Sequence, residues 1–289
     1  MHDPKILLLG SSGQIGKAFL KKYKSKFKIF SPSRKKMDLS KNNFLNLIYK
    51  IKPSIIVNLA AYTNVEKAEI EKKKTKQINY LSVKKLVRYC ETNETKLIHI
   101  SSDYIFKSNK KRLISENEKK NPINFYGYTK YLSENAIINS KINYIILRTS
   151  WVFSEHNNNF VKKIINVSKV NKILKVVNDE YSKPTSANLL SDAICLSIYF
   201  LQKNNCIQEV FNVANKKVTS RYSYAKKIIN CYYLNQKKPK IIPINSKDFK
   251  TLAKRSYYSA LSSKKFEKKF NFKIDNWHND LKKVIRRIK

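Results

Sequence analysis

Three of the chain's four glycines fall at Gly10, Gly13 and Gly16, directly behind an apolar run at 6–9. The stretch reads Leu9-Gly10-Ser11-Ser12-Gly13-Gln14-Ile15-Gly16. Glycine permits a tight turn, lets backbone approach a diphosphate, and lets a following helix pack closely on the strand. An anion would then sit at the helix N-terminus, where unpaired N–H groups and the helix dipole favour negative charge. Alone, this spacing also suits an ordinary strand-to-helix turn. Placed at the head of a strand–helix–strand pattern, it points to a dinucleotide.

That pattern continues along the chain. Apolar runs at 6–9, 27–30, 55–59, 97–100, 144–147, 174–177 and 210–213 alternate with amphipathic stretches such as 44–51, 77–90 and 126–138. Strands without polar alternation, separated by helices, indicate a parallel sheet covered on both faces. Right-handed crossovers make this an α/β, doubly wound, Rossmann-like sheet. From residue 216 the rhythm changes, with helices expected near 222–234, 262–270 and 277–288 and a short apolar run at 241–244. The expected division is a dinucleotide-binding core over 1–150, completed by about 171–215. A smaller mixed lobe takes 151–170 and 216–289.

Composition narrows the class. No apolar run is long enough to span a membrane, and the run at 6–9 is too short for a secretory signal. Cys90, Cys195, Cys206 and Cys231 lie far apart, as reduced thiols do. A cytoplasmic protein is expected. The net charge of +40 raises the question of nucleic acid. Lysine supplies nearly all of the 60 basic residues, and they are spread over the whole chain. Phosphate and base recognition favour the arginine fork, so no specific nucleic-acid partner is expected. The positive field would still steer an anionic ligand towards a cleft.

The end of the second strand selects the cofactor: an acid there bonds the adenosine ribose, and an arginine accommodates a 2′-phosphate. Here Phe30-Ser31-Pro32-Ser33-Arg34 carries no acid before Asp38. Arg34 therefore favours NADPH, with NADH possible.

The fourth strand ends in Ser101-Ser102-Asp103-Tyr104, and Tyr126-Gly127-Tyr128-Thr129-Lys130 follows. Tyr126 and Lys130 share one helix face at i and i+4. Reduction of a carbonyl needs a proton donor for the oxygen while hydride reaches the carbon. Tyrosine ordinarily titrates near 10. A lysine ammonium ~4 Å away would stabilise its phenolate by roughly 4 kcal/mol at an effective dielectric near 20. Such a pair would work as acid or base near neutral pH. A serine at the strand's carboxyl end would orient the carbonyl. Each feature has a plain alternative: Y-x-x-x-K recurs by chance in a chain with 18 tyrosines, and Ser-Ser-Asp also caps helices. Their order behind a dinucleotide loop favours chemistry.

These motifs resemble the dTDP-4-dehydrorhamnose reductase branch of the extended short-chain dehydrogenases. The likeness spans nearly the whole chain and includes Val57-Asn58-Leu59-Ala60-Ala61-Tyr62-Thr63, Leu147-Arg148-Thr149-Ser150-Trp151-Val152, Pro184-Thr185, and Lys254-Arg255-Ser256-Tyr257. The resemblance implies an oxidoreductase taking dTDP-4-dehydrorhamnose to dTDP-L-rhamnose with NADPH, for surface polysaccharide. It implies Tyr126 as proton donor, Lys130 on the nicotinamide ribose, and Ser102 with Asp103 on the substrate carbonyl. Trp151 would line the sugar pocket, which on its residue type alone reads as a core aromatic. Arg255 belongs to the implied sugar-nucleotide loop. Gly13, Gln14, Ile15, Asp38, Leu39, Ala61, Tyr62 and Thr63 would contact the cofactor.

The chain departs from the family pattern at Ser256, where a proline is usual. Some members bridge subunits through a metal held by acids, at positions that here carry Ala18 and Asn188. Neither residue replaces a carboxylate ligand, so no metal-bridged dimer is expected, and the oligomeric state stays open. Two other readings remain: an epimerase or reductase acting on another nucleotide sugar, and a non-catalytic regulatory relative such as the methionine adenosyltransferase beta subunit.

Overall fold

The chain order is Lys5–Leu9 (β1), Gln14–Tyr23 (α1), Lys28–Phe30 (β2), Phe44–Ile51 (α2) and Ile55–Asn58 (β3). Val65–Ile70 (α3) and Lys72–Lys76 (α4) follow, then a π-helical turn over Gln77–Leu81 that runs into Ser82–Thr92 (α5). Lys96–Ser102 (β4), a 3-10 turn at Asp103–Ile105, Phe125–Ile138 (α6) and Tyr144–Thr149 (β5) come next. Then follow Val152–Phe153 (β6), Phe160–Val170 (α7), Ile173–Val177 (β7), Tyr181–Ser182 (β8), Thr185–Ser186 (β9), Ala187–Lys203 (α8) and Gln208–Asn212 (β10). Thr219–Ser220 (β11), Arg221–Tyr233 (α9), Lys240–Ile244 (β12), Lys264–Phe270 (α10) and Trp277–Ile288 (α11) complete it. This is a computed structural model, describing residues 4–41, 43–108 and 111–289. Residues 1–3, ahead of the apolar run at 6–9, lie outside the described residues.

Six strands form one parallel sheet in the order β2-β1-β3-β4-β5-β10. Period-two alternation sends successive side chains to opposite faces. Ile6, Leu8, Val57, Ile98 and Leu147 enter a core shared with α1 and α8, while Leu7, Leu9, Ile56, Leu97 and Ile146 enter one shared with α2 and α5. Both faces are thus buried, which is why the strands read as unbroken apolar runs. Strand order reverses between β1 and β3. Ligands of open α/β sheets bind at such a switch point, outside the carboxyl ends of the strands.

The run at 174–177, expected to complete the dinucleotide core, does not join this sheet. As β7 it pairs with β12 in a separate two-stranded sheet. Leu174 and Val176 pack there with α7, α9 and α11 around Tyr224 and Trp277. Ile173 and Lys175 are exposed, so β7 has one wet face, unlike the strands of the central sheet. Helix α8 and strand β10 do complete the central layers.

A buried ion pair fixes helix α6 to the sheet. Arg148 of β5 donates to Glu134 of α6 through Nε (2.9 Å) and Nη2 (2.7 Å), and to the Glu116 carbonyl through Nη1 (2.8 Å). Lys120 adds a second cation 3.3 Å from Glu134. These partners hold the Glu134 carboxyl below its usual range although burial pushes the other way. Arg148→Met should cost about 3–5 kcal/mol in chemical denaturation, because it strands a buried carboxylate. A loss below ~1 kcal/mol, the scale of exposed pairs, would contradict this clamp.

No helix among the described residues is long and apolar enough to cross a membrane. Among the same residues, no group of three or more His, Cys, Asp or Glu is placed to hold a metal; Ala18 is buried and Asn188 partly exposed.

Candidate active site

A cleft of about 570 Å³ runs along the carboxyl ends of β1, β3, β4 and β5. Its walls include Gly10, Gly13, Gln14, Ile15, Gly16, Arg34, Asp38, Leu39, Ala61, Tyr62, Thr63, Ser102, Asp103, Tyr126, Lys130 and Trp151. Residues far apart in sequence are thereby brought to one surface. Arg255 lines a smaller neighbouring pocket, joined to the cleft through the shared walls Asp103, Tyr104 and Trp151.

The glycine loop packs so tightly that Gly10 and Gly16 leave no room for a side chain. Gly10 has φ +79°, and a Cβ there would lie 2.6 Å from the Ala60 amide nitrogen. A Cβ on Gly16 would collide with the Gly10 carbonyl. Gly13 caps α1 with extended backbone and no side-chain acceptor, so the first-turn N–H groups remain available to an anion. Gln14 accepts hydrogen bonds from Ser154 and Asn159, both at 3.0 Å. Asn157 donates to the Ser12 carbonyl (2.7 Å). The 157–159 loop therefore closes over the cradle, a contact that no local pattern announces. At the far end Arg34 is exposed and 3.8 Å from Asp38. Asp38 accepts from the Ser40 amide, which holds its carboxyl below the usual range.

Asn79 was also hidden from sequence. The π-helical turn buries it and aims its amide at the 61–63 segment. Its Oδ1 accepts from the Tyr62 amide (2.7 Å), and its Nδ2 donates to the Tyr62 carbonyl and to Thr129 (both 3.1 Å). It thus ties the cofactor-side loop to α6. Such turns recur at functional sites.

The reactive groups meet where β4 ends. Asn124 caps α6 by accepting from the Gly127 amide (2.7 Å), which sets Tyr126 in the first turn. Gly127 lies so close to the Tyr104 carbonyl that a Cβ would overlap it. The Tyr126 and Tyr104 rings meet edge to face, centroids 5.5 Å apart. Ser102 acts electrostatically on the Tyr126 hydroxyl and donates to Asp103 Oδ1 (3.1 Å), while Ser259 donates to Asp103 Oδ2 (2.6 Å). Burial raises the Asp103 carboxyl to about 6 against these bonds and the Arg221 charge.

The expected lowering of Tyr126 by Lys130 is not met. Burial raises the tyrosine well above its ordinary value, and Ser102 only partly opposes it. Lys130 donates instead to the Ile100 carbonyl (2.6 Å) and lies 3.0 Å from His99 Nε2. Burial brings Lys130 down to about 8, with Glu134 opposing. The i, i+4 spacing put both residues on one face, but the packing around β4 decides which atoms their tips meet.

Trp151 holds a left-handed φ of 42°, uncommon for a bulky side chain. Its ring stacks on Tyr224 (6.3 Å), and the Arg221 guanidinium lies 4.5 Å from it. Arg221 in turn donates from Nε to Glu180 (2.5 Å). Arg255 is tied to Glu66 and to the Ala253 carbonyl. Sequence reasoning singled out Arg255 and passed over Arg221 and Glu180, which flank the same pocket.

A family model described as the RmlD substrate binding domain matches residues 4–289. The dTDP-4-dehydrorhamnose reductase of Sinorhizobium fredii is 30% identical over 285 residues, covering 97% of this chain and 96% of that protein. The crystal structure of dTDP-4-dehydrorhamnose reductase from Bacillus anthracis in complex with NADP superposes with a TM-score of 0.89 at 27% identity, covering 99% of each chain. A Thermus thermophilus UDP-glucose 4-epimerase, with NAD, has a TM-score of 0.82 at 12% identity and covers 98% of each chain; it shares the fold.

Proposed function

The chain belongs to the dTDP-4-dehydrorhamnose reductase family, and from that membership we propose that it reduces dTDP-4-dehydrorhamnose with NADPH to dTDP-L-rhamnose, for surface polysaccharide. One observation carries the reading at the level of residues. Ser102, Asp103, Tyr126 and Lys130 face the same cleft as the glycine cradle, so a dinucleotide lying along it would end beside them.

The loop fits the diphosphate of the cofactor, since Gly10 and Gly16 let it turn tightly against neighbouring backbone and no side chain caps the N–H groups at the start of α1. When bound, NADPH supplies the hydride. Gly10, Gly13, Gln14, Ile15 and Gly16 hold the diphosphate, and Arg34 meets the 2′-phosphate. Asp38 and Leu39 face the adenosine, and Ala61, Tyr62 and Thr63 line the middle of the cleft. Lys130 binds the nicotinamide ribose. Ser102 donates to the substrate carbonyl with Asp103 beside it, and Tyr126 gives the carbonyl oxygen a proton. Trp151 and Arg255 belong to the sugar-nucleotide side, in a lobe built from 151–186 and 216–289. The protein works in the cytoplasm on a soluble nucleotide sugar, without a nucleic-acid or membrane partner.

NADPH oxidation across a panel of dTDP-, UDP-, GDP- and CDP-linked keto sugars tests the substrate. Turnover should be fastest with the dTDP-linked 4-dehydro-6-deoxy sugar. Preference for another base would move the chain to the alternative nucleotide-sugar reading. NADPH binding without turnover on any member would favour a regulatory role.

Arg34→Ala should weaken NADPH roughly 10–100-fold and NADH far less, since a charged hydrogen bond contributes about 1.5–3 kcal/mol. Equal loss for both cofactors in direct titration would show that Arg34 does not meet the 2′-phosphate.

A further inference from the structure

His99 sits in the middle of β4 at 1% exposure, on the face that presents Leu97 to the core. A strand at that place calls for an apolar residue, yet this imidazole has polar neighbours at both nitrogens. Asn58 Nδ2 is 3.2 Å from Nδ1, and Lys130 Nζ is 3.0 Å from Nε2. Ser133 Oγ lies 3.5 Å from Nε2 and donates its own proton to the Lys130 carbonyl (2.7 Å).

Donor logic fixes the proton. The Ala60 amide donates to Asn58 Oδ1 (3.1 Å), which sets the orientation of the Asn58 side chain. Its Nδ2 can only donate, so His99 Nδ1 carries no hydrogen. Burial keeps the ring neutral, well below its ordinary titration range. The single ring proton therefore sits on Nε2 and points at Lys130. An ammonium has three donors and no acceptor, so this contact is a hydrogen bond only when Lys130 is a neutral amine.

We propose that His99 is a positioning residue that stabilises Lys130 as the free amine by donating from Nε2 to Nζ, and that ligand capture at Lys130 breaks this bond. On capture, a proton from solvent forms a new N–H bond on Nζ, and the His99 Nε2–H is left with Ser133 Oγ, 3.5 Å away, as its acceptor. The functional consequence rests on the reading of Lys130 as the nicotinamide-ribose ligand: above about pH 8, where the free enzyme holds the amine, cofactor binding is coupled to proton uptake.

Other charges near this chain are already engaged. Glu134, one turn beyond Lys130, favours the ammonium but is paired with Arg148 and Lys120. From the 3-10 turn, Asp103 is held by Ser102 and Ser259. From α3, Glu66 is paired with Arg255, and Glu69 accepts from the Phe125 amide (2.7 Å). On α6 itself, Tyr126 is held in its neutral form by burial.

The test is a pH titration of the full-length protein with carbon-13 at the lysine ε positions, followed by NMR without and with NADPH. The Lys130 resonance is identified by its loss in Lys130→Met. In wild type without cofactor it should titrate near the value of about 8 that burial gives it. His99→Leu, which removes the donor, should move that midpoint up by roughly one pH unit, the scale of one hydrogen bond. His99→Gln, which keeps an N–H donor, should restore it. With NADPH, the wild-type residue should stay charged to about pH 10, its ordinary value. An unchanged midpoint in His99→Leu, or a wild-type midpoint already at its ordinary value, would overturn the proposal. Should His99→Leu fail to fold, His99→Phe, which also lacks the donor, takes its place with the same expected shift. If the free-enzyme midpoints behave as expected but NADPH does not move them, the ribose assignment falls and the role of His99 stands.

Discussion

Tyr126→Phe is expected to lower turnover roughly 10²–10⁴-fold, the usual scale of general acid catalysis, while leaving the fold and NADPH affinity in place. The substitution removes one oxygen and keeps the ring that meets Tyr104 edge to face. The direction of the Tyr126 shift supports a reductase. A phenol held above its ordinary value of about 10 is fully protonated at neutral pH, so the donor is loaded when substrate arrives. An alkoxide forming at the carbonyl is a far stronger base than phenolate, so the transfer still runs downhill. Assays need the complete nucleotide sugar, because binding energy from remote parts of a substrate can be used to orient the reacting centre. A folded Tyr126→Phe protein with near-wild-type turnover would remove Tyr126 from the mechanism.

Gly127→Ala should be the most damaging single methyl in the site. A Cβ at that position overlaps the Tyr104 carbonyl, which is backbone and cannot step aside cheaply. Helix α6 must then withdraw from the 3-10 turn, carrying Tyr126 and Lys130 away from Ser102. Overpacking of this kind costs about 1–3 kcal/mol. A displacement near 1 Å at a reacting group can cost about 10²-fold in rate. Both effects should appear together, in chemical denaturation and in turnover with saturating substrate. Unchanged stability and rate would mean that α6 does not depend on this close approach.

Much of this arrangement is legible in the sequence because it rests on local periodicity. The apolar runs mark strands buried on both faces, and Gly10, Gly13 and Gly16 mark the one place where the chain must turn tightly under a helix. Tyr126 and Lys130 are legible because four residues on a helix bring side chains to one face. What stayed hidden depends on partners distant in sequence. The run at 174–177 looks like any core strand, and only its pairing with β12 puts it in the second lobe. Asn79 reaches Tyr62 because a π turn adds a residue to the helix, which no 3.6-residue period reveals. His99 reads as one polar residue in an apolar strand until Asn58 and Lys130 are found on its two nitrogens. The upward shift of Tyr126 follows from its enclosure at the mouth of β4, so spacing to a lysine gave the wrong sign.

The proposed function stands or falls on the passage of hydride from NADPH to the keto carbon of a dTDP-linked 4-dehydro sugar. Its most direct test uses NADPH deuterated at the nicotinamide 4-position, with dTDP-4-dehydrorhamnose, and mass and NMR analysis of the sugar product. One deuterium is expected on the sugar's carbon 4, with conversion to dTDP-L-rhamnose. Binding of the deuterated cofactor with no deuterium in the sugar would contradict it.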